Sequence, residues 1–139
     1  MALFTKAQIL KANDLTWKDV PVPEWNEEGV TEPGEVRLLS LTGTQRDDFE
    51  AKSVTQGKSG TQKMNLTNFR ARLLALCMVD ENNKRVFSDI DVTLLGQKNA
   101  GVLERLFDIA REMNGMSEKD VEELTEGFGS DPSVSSTSD

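Results

Sequence analysis

The sequence of 139 residues contains neither histidine nor tyrosine, and histidine is the commonest general base and metal ligand in proteins. Carboxylate pairs remain as candidates for acid–base or metal chemistry, such as Asp47 with Asp48 or Asp89 with Asp91. Acids that neighbour one another on a protein surface are usually solvated. We therefore predict that the chain is not an enzyme and has no catalytic, cofactor-binding or metal-binding residues.

Cysteine and long apolar runs are also scarce. A single cysteine, Cys77, forms no intrachain disulfide, which is typical of a protein of the reducing cytoplasm. Its apolar neighbours favour a buried structural thiol over a nucleophile. No apolar run approaches the roughly 20 residues of a membrane span, and Met1 to Lys6 lacks the pattern of a signal peptide. We expect a cytoplasmic protein without a membrane partner.

Basic residues are outnumbered, with 16 lysines and arginines against 24 acids and a net charge of −8. Nucleic-acid binding depends on basic side chains that neutralise phosphates, so this balance argues against a nucleic-acid partner. The excess lies at the C-terminal end, because residues 117–139 carry seven acids and one lysine. The body before it is close to neutral, which lets copies associate without much repulsion.

The N-terminal third predicts one short helix followed by extended segments. Thr5 is placed to cap a helix that reaches Ala12. The segment from Trp17 to Pro23 is extended, and its two prolines favour the edge of a sheet over its centre. A loop over residues 26–34 separates it from the best strand of the chain, Glu35 to Leu41.

A capping box marks the next helix. Thr42 and Gln45 have the spacing of this motif and predict a helix that runs through Phe49 towards Val54. The run from Gln56 to Gln62 contains no apolar residue, and its glycines predict a mobile loop.

The stretch from Asn65 to Asn114 is the richest apolar part of the chain. Asn65 is placed to cap a first helix that reaches Val79, and a second helix ends at Asn114, with Gly115 as its stop. Both helices carry apolar side chains at helical spacing. These are Leu66, Phe69, Leu73, Leu74, Leu76 and Cys77 in the first helix, and Val102, Leu103, Leu106, Ile109, Ala110 and Met113 in the second.

These elements predict an α+β fold, in which a small antiparallel sheet from the N-terminal third packs against a helical C-terminal part. A further short helix is predicted from Ser117, with Val121 and Leu124 on one face. We expect residues 1–126 to form one domain and the acidic, serine-rich residues 127–139 to form a disordered tail.

Two short motifs resemble binding sites but lack a required residue. Gly57–Ser59 copies the end of a phosphate-binding loop, whose first glycine would fall at Lys52. Residues 80–91 have the length of a calcium loop, but the sixth position is Arg85 instead of glycine. We interpret residues 80–84 as a hairpin-like turn and Asp89 and Asp91 as helix-start residues.

Several blocks of the chain, taken in order, resemble one known family. They are the segment around Trp25, the strand Val36–Thr42 with the following helix of Arg46, the helix end Leu73–Glu81, the run Arg85–Val92 and the close of the last long helix, Met113–Ser117. Across about residues 17–124, this set resembles the tail assembly chaperones of long-tailed phages and prophages with non-contractile tails. None of the blocks is a catalytic motif.

The resemblance implies a non-enzymatic protein of the host cell cytoplasm that needs no cofactor. Members of this family bind the long tape measure protein, keep it soluble until tail tube subunits polymerise around it, and are absent from the mature virion. Many form homo-oligomers. Many also have a longer form made by ribosomal frameshifting near the C-terminus, and such a form would be a second partner. A protein sequence does not show a slippery codon, so this longer form rests on the resemblance alone.

A helical partner binds in a groove between helices, so the apolar helix faces are the expected walls of the site. We expect Phe107, beside Leu106 but off the main apolar stripe, to be exposed. Trp17 and Trp25 lie on irregular segments, where aromatic residues often anchor contacts. The residues predicted to bind the partner are Trp17, Trp25, Phe69, Leu73, Leu103, Leu106, Phe107 and Met113. Core packing is the competing role for the helix residues.

Two other functions are alternatives at this stage. A structural virion component of the tail tube or the head–tail junction would have a similar composition and would be found in purified particles. A small enzyme that uses carboxylates and a magnesium ion would need Asp89 and Asp91 to bind the metal. The ordered blocks that carry the resemblance, together with the absence of catalytic residues, favour the chaperone.

Overall fold

Ten regular elements are present in the computed structural model, which describes residues 2–56 and 62–116. The helices are α1 (Lys6–Lys11), α2 (Gly43–Lys52), α3 (Phe69–Cys77), α4 (Val92–Leu95) and α5 (Ala100–Met113). The strands are β1 (Trp17–Pro21), β2 (Glu35–Leu39), β3 (Val54–Gln56), β4 (Gln62–Met64) and β5 (Met78–Val79). The predicted helix from Ser117, the domain limit at residue 126 and the predicted tail lie outside the described residues.

The main sheet is antiparallel and has the strand order β1-β2-β5. Trp17 lies opposite Leu39 and Pro21 opposite Glu35, so β1 pairs with β2 along its whole length. The order leaves β1 at an edge, which agrees with its proline content. The helices follow in the C-terminal part, and the predicted α+β fold is confirmed.

β5 corrects the predicted extent of the first long helix. The sequence predicted a helix to Val79, but α3 ends at Cys77 and the next two residues cross to the sheet. After this strand the backbone N–H of Asp80 donates to the carbonyl of Lys84 at 2.8 Å, and Val79 pairs with Arg85. The predicted hairpin-like turn over residues 80–84 is therefore confirmed.

A second hairpin was missed by the sequence analysis. β3 pairs with β4 antiparallel, with Val54 opposite Met64 and Gln56 opposite Gln62. These strands flank the segment predicted as a mobile loop, of which residues 57–61 lie outside the described part of the chain. The three-residue strands are too short to show a clear apolar alternation, which is why the pattern gave no signal.

Capping boxes begin three of the helical segments. Thr5 caps α1, and Thr42 forms a capping box with Gln45 at the start of α2, where the Gln45 N–H donates to the Thr42 hydroxyl oxygen at 3.1 Å. Both predicted caps are confirmed. Asp91 completes a third capping box at a 3-10 turn over residues 89–91, so the predicted helix-start role of this acidic pair is also confirmed.

Asn65 does not cap α3, so that prediction was wrong. The helix begins at Phe69, after Asn68 adopts a left-handed conformation with φ of 51°. The Asn65 side chain instead accepts a hydrogen bond from the Thr67 N–H at 3.2 Å and donates one to the carbonyl of Lys52 at 3.2 Å. Asn65 therefore ties the end of α2 to the loop before α3.

The core is built around α3, of which seven of the nine residues are buried. The apolar stripe of α5 packs against it, and β2, α2 and α4 also contact it. The ring of Phe69 lies 5.1 Å from that of Phe49 and 5.6 Å from that of Phe107, measured between centroids. This aromatic row joins α2, α3 and α5.

The close of α5 is fixed by backbone and side-chain hydrogen bonds. Gly115 has φ of 66°, and the Met116 N–H donates to the carbonyl of Arg111 at 2.9 Å, the pattern of a Schellman motif. The Asn114 side-chain oxygen accepts from the Leu41 N–H at 2.7 Å. The predicted helix stop is confirmed, and it also holds the junction between β2 and α2.

Cys77 is fully buried at the end of α3, as predicted. Burial raises the pKa of its thiol to about 12, against a smaller opposing effect of the Asn114 side chain, whose amide nitrogen lies 3.8 Å from the sulfur. At neutral pH the group is a thiol, and it packs as a small apolar side chain.

Leu106 tests the dependence of the fold on the α3–α5 contact. It is fully buried, so Leu106→Ala is expected to lower the free energy of unfolding by about 3 kcal/mol, measured by urea denaturation. Leu94→Ala is the matched control, because Leu94 is exposed on α4 and its truncation is expected to change stability by less than about 0.5 kcal/mol. Equal effects of the two substitutions would contradict this packing.

Candidate interaction surfaces

An open groove of about 480 Å³ lies beside β2 and β5 and is called here the acidic groove. Its apolar lining consists of Trp25, Val36, Met78, Val79, Val86 and Phe87. Its charged lining consists of Asp19, Glu35, Arg37, Asp80 and Glu81. Asp19 binds Arg37 at 2.8 Å, and this ion pair lowers the pKa of the Asp19 carboxyl. The surface therefore combines an apolar floor with a net negative rim.

Trp25 is positioned in the acidic groove by its neighbour Glu24. The two carboxylate oxygens of Glu24 accept hydrogen bonds from Arg105 on α5 at 2.6 and 3.0 Å. These bonds lower the pKa of Glu24 to about 2. The bidentate pair ties the 3-10 turn over residues 23–25 to α5 and so orients the indole.

A second open groove, of about 530 Å³, lies between α3 and the start of α5 and is called here the α3–α5 groove. Phe69 and Leu103 line it, and Leu66, which is 60% exposed, stands at its side. At the α4 end, a Cβ on Gly96 would fall 2.3 Å from the side-chain oxygen of Asn68, so any other residue at this position would displace that side chain. The charged lining comprises Arg70, Lys98 and Glu104, which gives a net positive surface.

A smaller cavity of about 270 Å³ lies between α2, α3 and the 3-10 turn over residues 89–91. Lys52 binds both Asp48 and Asp89 there, each at 3.2 Å, so these three charges are paired within the chain. Burial lowers the pKa of Arg72, which donates to the carbonyl of Asn65 at 2.6 Å. The ion pair between Lys52 and Asp89 holds the end of α2 against the 3-10 turn over residues 89–91.

Within residues 2–56 and 62–116, no group of three or more acidic or cysteine side chains has an arrangement that could hold a metal ion. None of the helices in this part of the chain combines the length and the apolar character that a membrane span requires.

The residues predicted to bind a partner fall into three groups. Trp17 is 54% exposed at the sheet edge, with the Arg37 guanidinium 5.6 Å from its ring centroid. Trp25 lines the acidic groove, and Phe69 and Leu103 line the α3–α5 groove, although little of either helix residue is exposed. The remaining predicted residues, Leu73, Leu106, Phe107 and Met113, belong to the core or pack against it.

Phe107 is not an exposed contact, so that prediction was wrong. It is 4% exposed and packs against Phe69. The buried stripe of α5 includes both Leu106 and Phe107, whereas Ile109 and Met113 are only partly buried. The stripe is therefore rotated by about one position from the predicted one.

The sequence analysis missed most of the exposed apolar side chains. They are Leu3, Phe4, Ile9, Leu10, Val30, Leu66, Val86, Ile90 and Leu94, in addition to Trp17. The signal for Ile9 and Leu10 was available, because a helix of six residues offers too few positions to bury its apolar side chains in a core. The others lie in loops and short helices, where no periodicity separates exposed from buried positions.

A family model described as phage tail assembly chaperone matches residues 5–127. The chain belongs to this family. A chaperone acts without making or breaking bonds in its client, and a tail assembly chaperone has a tail protein as its partner. The family resemblance stated from the sequence blocks is therefore confirmed.

The fold agrees with that of a solved member of this chaperone group. The structure of the bacteriophage HK97 tail assembly chaperone matches 81% of this chain and 95% of its own, with a TM-score of 0.52 and 21% sequence identity. At this identity the likeness concerns the fold alone. The comparison with curated proteins found no match.

The bond between Glu24 and Arg105 is expected to depend on pH. The folded pKa of Glu24, about 2, lies below its ordinary value of 4.5, so the stability from this pair is present above pH 4.5 and is lost as the pH falls towards 2. Arg105→Gln is expected to return the Glu24 pKa towards 4.5, measured by NMR titration of the side-chain carboxyls. The Asp80 pKa, which is lowered by backbone N–H groups, is the internal control and should not move.

Proposed function

We propose that this chain binds the tape measure protein, keeps it soluble and promotes tail tube assembly. The proposal is carried by the family match over residues 5–127. The site of action would be the host cell cytoplasm, and the chain would be absent from the mature virion. A longer frameshifted form would share its N-terminal region and bind the same partner.

The α3–α5 groove is the surface that suits this partner best. The tape measure protein is expected to be long and helical, with apolar stripes, and an amphipathic helix binds by placing its apolar face in a groove. Phe69 and Leu103 would form the floor of the contact, and Leu66 would be buried by it. The positive net charge of the lining favours acidic residues beside the apolar stripe of the bound helix.

Self-association is the second part of the proposed function. The described residues leave ten large apolar side chains exposed, on the N-terminal segment and in both grooves as well as at scattered positions. The net charge of the chain before residue 117 is close to zero, so charge repulsion between copies opposes association only weakly. Homo-oligomers would cover part of this surface and would present several client grooves to one long tape measure chain.

Co-expression with the tape measure protein tests the client-binding proposal. The wild-type chain is expected to raise the soluble fraction of the tape measure protein, and Leu66→Glu is expected to weaken the complex about tenfold, because it places a charge against an apolar client stripe. The affinity is measured by calorimetry with the soluble complex or with client fragments.

Val30→Glu is the matched control for this experiment. Val30 is about as exposed as Leu66 but lies in the loop before β2, away from the α3–α5 groove. Wild-type affinity is expected for this variant. If co-expression leaves the solubility of the tape measure protein unchanged, the chaperone proposal is contradicted. Recovery of the chain in purified virions by mass spectrometry would favour a structural role.

A further inference from the structure

The N-terminal arm, defined as residues 2–14, is a folded segment that packs against nothing in its own chain. Every residue from Ala2 to Asp14 is exposed, and α1 buries none of its residues. Four large apolar side chains lie in it, namely Leu3, Phe4, Ile9 and Leu10. A helix of six residues is far below the roughly 12 residues at which isolated helices become marginally stable. The arm therefore has the properties of a segment that docks on another surface.

The arm carries a net positive charge. Lys6 and Lys11 lie within α1, and the only acid of the arm is Asp14 at its C-terminal end, so the net charge of residues 2–14 is +1. The rest of the chain is acidic overall, so an arm of this charge finds complementary surface on a copy of its own chain.

We propose that the arm of one copy docks in the acidic groove of a second copy. The groove has an apolar floor that includes Trp25, Phe87 and Val86, of which Val86 is half exposed. Glu35, Asp80 and Glu81 on its rim face the solvent, where the two arm lysines can reach them. The proposal rests on the proposed self-association and names the contact that produces it.

Charge selects this groove over the other open groove. The α3–α5 groove contains Arg70 and Lys98 against Glu104, so it repels a segment with two lysines. It stays open for the client while the arm occupies the acidic groove. The two contacts are therefore separate on the surface of one chain.

The arm that occupies the acidic groove comes from a second copy of the chain and not from the same copy. Arm and groove are present together in the folded chain, yet all arm residues are exposed and none lines the groove. The arm joins β1 at Trp17, which pairs with Leu39, whereas the groove is lined by Glu35 at the other end of the β1–β2 ladder. Exchange between copies covers both surfaces without rearrangement of either.

Charge reversal in the full chain tests the contact. Lys6→Glu with Lys11→Glu makes the arm acidic, and Glu35→Lys with Glu81→Lys makes the groove basic. Each double variant alone is expected to self-associate at least about tenfold more weakly than the wild type, measured by sedimentation velocity at low salt, because like charges then meet. Mixing the two variants is expected to restore association, since an acidic arm then meets a basic groove in a different chain.

Lys18→Glu with Lys63→Glu is the matched control. It changes the net charge as much as the arm variant does, but both lysines are exposed outside the arm and the acidic groove. Near wild-type association is expected, and circular dichroism verifies the fold of every variant. Equal weakening by this control, or no restoration on mixing, would overturn the proposed contact.

The outcomes also separate this inference from client binding. Arm variants that lose self-association but still keep the tape measure protein soluble would support both proposals. Unchanged self-association in the arm variants would overturn the arm contact and leave the chaperone proposal standing. A wild-type chain that is monomeric at every concentration would overturn self-association and the arm contact together, without bearing on the client groove.

Discussion

The enclosure of α3 is the constraint on which the other elements depend. Seven of its nine residues are buried and only Arg70 is exposed, so neighbours must cover almost every side of this helix. β2, α2, α4 and α5 provide that cover. The small residues Ala71 and Ala75, both buried, leave room for these neighbours to approach closely. The sheet of three short strands is marginal by itself and gains its stability from this packing.

Arginines from other elements donate hydrogen bonds to backbone carbonyls near the ends of α3 and α5. The Arg85 guanidinium donates to the carbonyl of Ala75 at 3.0 Å, and the Arg46 guanidinium donates to the carbonyl of Asn114 at 3.1 Å. Arg46 and Arg85 both lie in the blocks that carried the family resemblance. Those blocks therefore have a structural meaning, because they satisfy backbone groups that the core would otherwise leave without partners.

The sequence predicted those parts of the fold that local chemistry determines. Capping boxes at Thr5 and Thr42 and the stop at Asn114 depend on neighbours within a few residues, so their patterns sufficed. The failures depend on contacts between distant residues. The Asn65 side chain donates a hydrogen bond to the carbonyl of Lys52 instead of capping α3. Phe107 is buried because it packs against Phe69. Neither partner is visible in a local pattern.

The surfaces proposed to contact other chains also depend on residues that are far apart in the sequence. Two grooves form only when β2, β5, α3 and α5 are assembled, and their opposite net charges come from side chains far apart in the sequence. Because the core around α3 takes in most of the large apolar side chains of the described residues, each groove exposes only one or two of them. Such surfaces give modest affinities and fast dissociation. This behaviour suits the proposed function, in which the client is released as tube subunits polymerise around it.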